Sequence, residues 1–349
     1  MKRIGLYGII GGLFVFLLTC PAQTMAAAQN GLVLCARSVA PALFPFFVLS
    51  DLMIQTGCLS WIFRPVQPLF SRLFGVSGDG ASAFFLGACA GYPIGAKTIH
   101  ELTQAGRISY EEGNRLLYYC NNAGPLFLIG TVGTGMFRSP VAGYLLLTAH
   151  IGAAFLIGLF VRKKNDSASF SPLPRSLSWE IFSHAVTGSV HSILLVCGYI
   201  ILFQIIINAA TVLFPLPAPI QALYCGLLEM TSGVQRLSLL SNIPLRLKLT
   251  AASALTGFGG LCVHFQTFGM LNRLSKKTYL TGKLLQGMLA PILTYFLYPL
   301  FAPSQTVFFT KSADGIEWRA QLYLNLGLLV ITLLWYLAAL LLPRLRIKK

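Results

Sequence analysis

Apolar runs alternate with short polar connectors along this chain, and several are interrupted where a membrane helix should be continuous. Runs long enough, or nearly so, for a helix to cross a bilayer fall at residues 4–20, 32–54, 141–161, 181–214, 279–301 and 321–343. Residues 59–76 mix Arg64, Pro65, Pro68 and Arg72 with Trp61, Phe63, Phe70 and Phe74, which predicts a helix lying in the interface. Residues 81–105 predict a hairpin with arms too short to cross, interrupted by three glycines and a proline in Gly87-Ala-Cys-Ala-Gly-Tyr-Pro-Ile-Gly-Ala-Lys97. Ser109-Tyr-Glu-Glu112 has the pattern of a capping box, in which Ser109 caps and Glu112 reaches back. The helix that it opens breaks at Cys120-Asn-Asn-Ala-Gly-Pro125, and apolar residues resume over 126–137. In the second half, residues 220–233 and 234–241 predict a second hairpin around Glu229, and residues 244–272 break at Thr256-Gly-Phe-Gly-Gly260.

Lipid cannot satisfy free backbone N–H and C=O groups. Broken backbone at membrane depth therefore persists only inside protein or beside a watery cavity. With Lys2 and Arg3 placed inside, Arg64, Arg72, Lys97, Arg107, residues 162–164, Arg175, Arg273, Lys276, Lys277, Lys283 and the tail at 344–349 also fall inside. Arg236, Arg246, Lys248, Lys311 and Arg319 are exceptions. Span 32–54 then runs inward and span 181–214 outward, each followed by a connector, a hairpin, a broken helix and a plain span. The predicted fold is an all-α polytopic membrane protein: an inverted repeat with two re-entrant hairpins and two broken transmembrane helices, plus flanking transmembrane helices. The expected organisation is an N-terminal transmembrane or signal-like segment (1–30), a first repeat (31–164), a loop (165–178), a second, inverted repeat (179–301), a polar loop (302–320), and a C-terminal transmembrane helix with a cytoplasmic basic tail (321–349). Breaks 91–95 and 229–233 correspond, as do 121–125 and 257–261.

Composition agrees. Of 349 residues, 55% are hydrophobic and 10% charged, and the mean hydropathy is +0.71, which excludes a soluble domain. The net charge of +16 reflects orientation or attraction for an anionic solute or headgroup. No basic block interleaves with aromatics, so nucleic acid is not an expected partner. The eight cysteines include no C-x-x-C pair, and no metal site, cofactor or disulfide framework is expected.

Helix breaks offer N–H and C=O groups to a solute without charged side chains. The expected solute-binding residues are Gly91, Tyr92, Pro93, Gly95 and Lys97 at the first break, and Asn121, Asn122, Gly124 and Pro125 at the second. Thr231, Ser232 and Gly233 follow at the third, and Gly259, Gly260, His264 and Gln266 at the fourth. Lys97 reads either as a counter-charge for a carboxylate or as a snorkelling lysine. Asn121 and Asn122 offer donors and acceptors to a solute or to another helix. Glu229 is the one acidic residue between Glu180 and Asp314 and the candidate for proton or cation coupling, with pairing to Lys97 or Arg236 as the structural alternative. His264 could titrate near neutral pH or simply pack. Gly87, Gly91 and Gly95 also have G-x-x-x-G spacing, so tight helix packing competes with a solute role. The run Gly91 to Thr98 lacks the strand and spacing of a phosphate loop, and His100-Glu-Leu-Thr-Gln104 lacks the second histidine of a zinc protease. Neither a nucleophile–base pair nor a metal set is present, so an enzyme is not expected.

Four motifs carry a resemblance: Gly91-Tyr-Pro-Ile-Gly-Ala-Lys97, Cys120-Asn-Asn-Ala-Gly-Pro125, Gly226-Leu-Leu-Glu-Met-Thr-Ser-Gly233 and Gly259-Gly-Leu-Cys-Val-His-Phe-Gln266. In this order, with Leu43-Phe-Pro-Phe46, they resemble the YlbJ sporulation integral membrane proteins, also called SpoVV, over roughly residues 30–300. That family falls in the nucleoside-recognition or Gate group, whose fold is similar to that of concentrative nucleoside transporters. The resemblance implies transport of dipicolinic acid, a small aromatic dicarboxylate, across the outer forespore membrane during endospore formation. A nucleoside or other small-solute carrier, or a non-transporting sporulation scaffold, is the alternative. The expected partners are a small-molecule solute, the lipid bilayer and a coupling proton or cation, with homo-oligomer formation left open.

Overall fold

The computed structural model describes residues 2–163 and 176–301. Most of the loop expected at 165–178, the polar loop at 302–320 and the C-terminal helix and tail at 321–349 lie outside the described residues. Within them the chain is all-helical.

Helix α1 (Lys2–Thr19) turns by 105° at Cys20 into α2 (Pro21–Leu34). Residues 22–30, between the apolar runs 4–20 and 32–54, are therefore helical. Pro21 at the first turn has a preset φ that suits a helix start, and the alanines that follow are strong helix formers. A π-helical turn, Cys35–Val39, joins α2 to α3 (Ala40–Gln55). The expected span 32–54 is thus the second part of a longer helical path.

Two short helices follow, α4 (Cys58–Phe63) and α5 (Gln67–Phe74). The segment expected as one interfacial helix is thus two. Phe70 and Phe74 are buried against Phe84, Phe85, Tyr119 and Phe155, so one aromatic face of α5 meets protein, while Trp61 and Leu69 are exposed. Helices α6 (Gly78–Ala90) and α7 (Ile94–Gln104) form the first hairpin. Arg107 fastens its base with a two-pronged bond to the buried Asp79 carboxylate and a third bond to the Ile54 carbonyl. Helix α8 (Tyr110–Leu116) starts where the capping pattern places it, since Ser109 Oγ accepts from the Glu112 N–H. The Glu112 carboxylate accepts from the Ser77 N–H and hydroxyl at the start of α6, tying α8 to the hairpin.

After irregular residues 120–124, a π-helical segment (Leu126–Met136) leads to α9 (Pro140–Phe160). The second half holds α10 (Trp179–Leu213), the hairpin α11 (Ala218–Leu228) and α12 (Met230–Leu239), the broken pair α13 (Leu245–Phe258) and α14 (Gly260–Leu271), and α15 (Lys276–Phe301). Among the described residues, α9, α10 and α15 are long and apolar enough to cross a membrane, and two bent pairs raise the number of candidate spans to five. The helical path α2–α3 packs along α10, α9 crosses α15, and α13 lies against α15. One apolar core surrounds Phe70, Phe74, Leu116 and Tyr279, and a second joins Tyr92, Leu128, Leu145, Val234 and Leu255.

Candidate functional site

The four interruptions fall where the apolar pattern breaks, and each is stabilised differently. The first hairpin turns at Gly91, whose φ of 88° disfavours any side chain, and α7 resumes at Ile94. The irregular strand of chain at 120–124 lies directly on this hairpin. A Cβ at Gly87 or Gly95 would sit 1.8 or 2.1 Å from the Cys120 carbonyl oxygen. Packing, the alternative reading of the G-x-x-x-G spacing, accounts for Gly87 and Gly95.

The second interruption exposes backbone groups that side chains from elsewhere satisfy. The Ala123 N–H donates to His150 Nε2 at 2.9 Å, and the Asn121 carbonyl accepts from Lys283 Nζ at 3.0 Å. Asn121 Oδ1 takes the N–H of Ala96 at 3.3 Å, one of the orphan donors in the first turn of α7. Asn122 donates to the Tyr119 carbonyl at 2.9 Å and accepts from Gln286 Nε2 at 2.8 Å. At the third interruption a single residue, Glu229, leaves the helical conformation and caps α12. Its carboxylate accepts from the Thr231 N–H, the Ser232 N–H and the Ser232 hydroxyl, each at 2.8 Å. The fourth is Gly259, in the left-handed region with φ 93°, and no side chain caps the α14 N-terminus that follows.

Three of the four interruptions border one cavity of about 470 Å³, and α14, which follows the fourth, adds Cys262, Val263 and Gln266 to its wall. Of the expected residues, Gly91, Tyr92, Gly124, Glu229, Thr231 and Gln266 line it. The rest of the wall is mainly apolar, including Phe46, Phe127, Met230 and Val263. The two charged residues in the lining are Glu229 and Arg37, and Arg37 projects from the π-helical turn between α2 and α3. Sequence reasoning missed Arg37. The available signal was an arginine within the apolar stretch 31–50.

The other expected residues lie outside the lining. Lys97 sits over the Phe47 ring and pairs with Glu101 at 3.3 Å, one helical turn on. Neither structural alternative for Glu229 forms, because Arg236 bonds to Gln221. Pro93 and Pro125 start helical segments beside the first and second breaks, and Gly233 packs on Gly226. Ser232 bridges Glu229 and Gln204. Gly259 and Gly260 form the fourth turn. Asn121, Asn122 and His264 belong to a buried polar network behind the cavity. In it Lys283 Nζ donates to Gln286 Oε1 at 2.7 Å, and the Tyr279 hydroxyl lies 3.1 Å from His264 Nδ1. Lys283, counted among the inside charges at the start of span 279–301, lies on α15 with its side chain fully buried. Tyr92 separates this network from the cavity, with its hydroxyl on the Thr256 carbonyl at 3.0 Å.

Residues 36–135 match the family model described as Gate, nucleoside recognition. The matched segment contains Arg37, the first hairpin and the second break, and so about half of the cavity wall. The chain is also 29% identical over 360 residues to the sporulation integral membrane protein YlbJ of Bacillus subtilis (strain 168), with 88% of each chain covered. No solved structure matches it. The resemblance carried by the four motifs is thus met along most of the chain. With its apolar helices, this similarity makes the protein an integral membrane protein of several passes.

Proposed function

We propose that the protein is a membrane carrier whose solute occupies the cavity at the helix interruptions, and that its most suitable solute is dipicolinic acid, moved during endospore formation. The observation that carries this reading is the convergence of three helix breaks and the α14 helix that follows the fourth on one cavity containing Arg37 and Glu229. Its volume falls within the range of ~300–1,000 Å³ common for small-molecule sites. A flat aromatic ring suits walls of Phe46, Phe127 and Met230. The Arg37 guanidinium suits one carboxylate, and the uncapped α14 N-terminus, beside Cys262 and Val263, suits a second. The matched order of long helix, hairpin, broken helix and plain span in both halves supports an inverted repeat with its site near the membrane midplane. Glu229, on the cavity wall, is the candidate for proton or cation coupling. A carrier needs no catalytic group, and we assign none.

A nucleoside is the second reading. The match to the nucleoside-recognition family model and the Glu229 carboxylate, an acceptor suited to hydroxyl or amino donors, favour it. Uptake of labelled dipicolinate and labelled nucleosides by cells expressing this chain alone separates the two. Accumulation of neither, with the protein present in the membrane, rejects the carrier and favours a sporulation scaffold.

A further inference from the structure

Behind the Tyr92 wall lies a buried amine without a counter-ion. Lys283 is 1% exposed on α15, a candidate membrane span. Its Nζ meets two neutral acceptors, the Asn121 carbonyl at 3.0 Å and Gln286 Oε1 at 2.7 Å. Its remaining neighbour of note is the Tyr92 ring, whose centroid is 5.3 Å away. Among the described residues no acidic side chain pairs with it. Two acceptors match the two N–H bonds of a neutral amine, whereas the third donor of an ammonium would face only an aromatic ring. A buried charge of this kind is costly unless a counter-charge arrives. The cavity lies on the other side of Tyr92.

Resting on the carrier reading above, we propose that Lys283 is a proton-binding site coupled to the solute: its amine takes a proton from water as an anionic solute enters the cavity and releases it as the solute leaves. The anion adds negative charge across a single ring, beyond that of Glu229, whose carboxylate is taken up by the Thr231 and Ser232 N–H groups, through a medium where electrostatic interactions are weakly screened. Anion and proton then cross together. The other titratable groups facing Lys283 are His150 from α9, His264 from α14, Tyr92 from the first break and Tyr279 on its own helix, and Glu229 lies across the Tyr92 ring on the cavity wall, its carboxylate held by the Thr231 and Ser232 N–H groups. The charged residues of the other packed helices are engaged elsewhere. On α13, Arg246 holds the Tyr295 carbonyl and Lys248 those of Ser238 and Leu240. On α8, Glu111 pairs with Lys163, Glu112 with Ser77, and Arg115 with the Gly75 carbonyl.

The test is calorimetric titration of the purified full chain with dipicolinate near pH 7, in buffers of different ionisation enthalpy. Wild type is expected to take up about one proton per solute bound. Lys283→Arg, which keeps a permanent charge, is expected to bind with little change and take up none. Lys283→Met is expected to bind about tenfold more weakly, also without proton uptake. Binding by wild type without proton uptake overturns the proposal and leaves the carrier intact. Undiminished uptake in Lys283→Arg assigns the proton to Glu229, to a histidine or to the solute and also overturns it. Absence of binding by dipicolinate and nucleosides alike removes the carrier reading, and this proposal with it. The wild-type proton count decides the matter even where a variant does not fold.

Discussion

Replacing Asn122 with Ala separates a residue that holds the second break together from one that touches solute. Asn122 is fully buried and does not line the cavity. The substitution removes its bonds to the Tyr119 carbonyl and to Gln286 Nε2. Gln286 keeps the His150 carbonyl at 3.2 Å, so one of the two partners retains a bond. The Tyr119 carbonyl is left buried without its side-chain partner, which costs about 1–3 kcal/mol. A hydrogen bond between membrane helices is worth about 0.6 kcal/mol on average, which pulls the expected total toward the lower half of that range. The variant should therefore unfold about 1–2 kcal/mol more easily, visible as a Tm lower by a few degrees in thermal unfolding of the purified chain. Dipicolinate affinity of the folded protein should stay within about threefold, because the cavity wall is unchanged. A double-mutant cycle with Gln286→Leu should return a coupling of about 0.5–1.5 kcal/mol. An unchanged Tm combined with a tenfold loss of affinity would refute this assignment and return Asn122 to the solute site.

The positions of the breaks were legible in the sequence for a definite reason. Gly91, Gly259 and the Asn-Asn-Ala-Gly-Pro run cannot continue a helix well, and an isolated Glu229 interrupts one by capping the next. The hairpins and the long helices follow from the same apolar pattern. What each polar residue faces was not legible. A donor or acceptor at membrane depth needs a partner, and the sequence does not distinguish a watery cavity from a second helix. Asn121, Asn122 and His264 found protein partners, whereas Tyr92, Thr231 and Gln266 reached the cavity. Lys283 was counted with Arg273, Lys276 and Lys277 as a charge on the inside. Gln286, three residues later within an apolar run, was the signal that this lysine turns inward. His150 was hidden in a plain span by the same averaging, although a lone histidine in an apolar span marks a polar partner nearby. Arg37 was missed because the π-helical turn that presents it carries no glycine or proline.

Three further substitutions test the cavity and the packing behind it. Arg37→Gln should weaken dipicolinate binding about tenfold while sparing nucleoside binding and Tm, and equal losses for both solutes would remove Arg37 as a carboxylate partner. Glu229→Gln should reduce uptake to background at near-normal membrane abundance, since an amide oxygen still accepts from one of the N–H groups that the carboxylate caps; normal uptake would exclude Glu229 from the mechanism. Gly87→Ala should abolish accumulation of folded protein, read as loss of the monodisperse peak in detergent. Its Cβ would meet the Cys120 carbonyl oxygen at 1.8 Å and Gly95 Cα at 3.1 Å, both backbone atoms that no rotamer change can move aside. Gly8→Ala in α1, where nothing lies within 4 Å of the added Cβ, is the control and should fold at least as well as wild type. Normal behaviour of both variants would mean that residues 120–124 do not rest on the first hairpin, and the cavity as described would lose one of its walls.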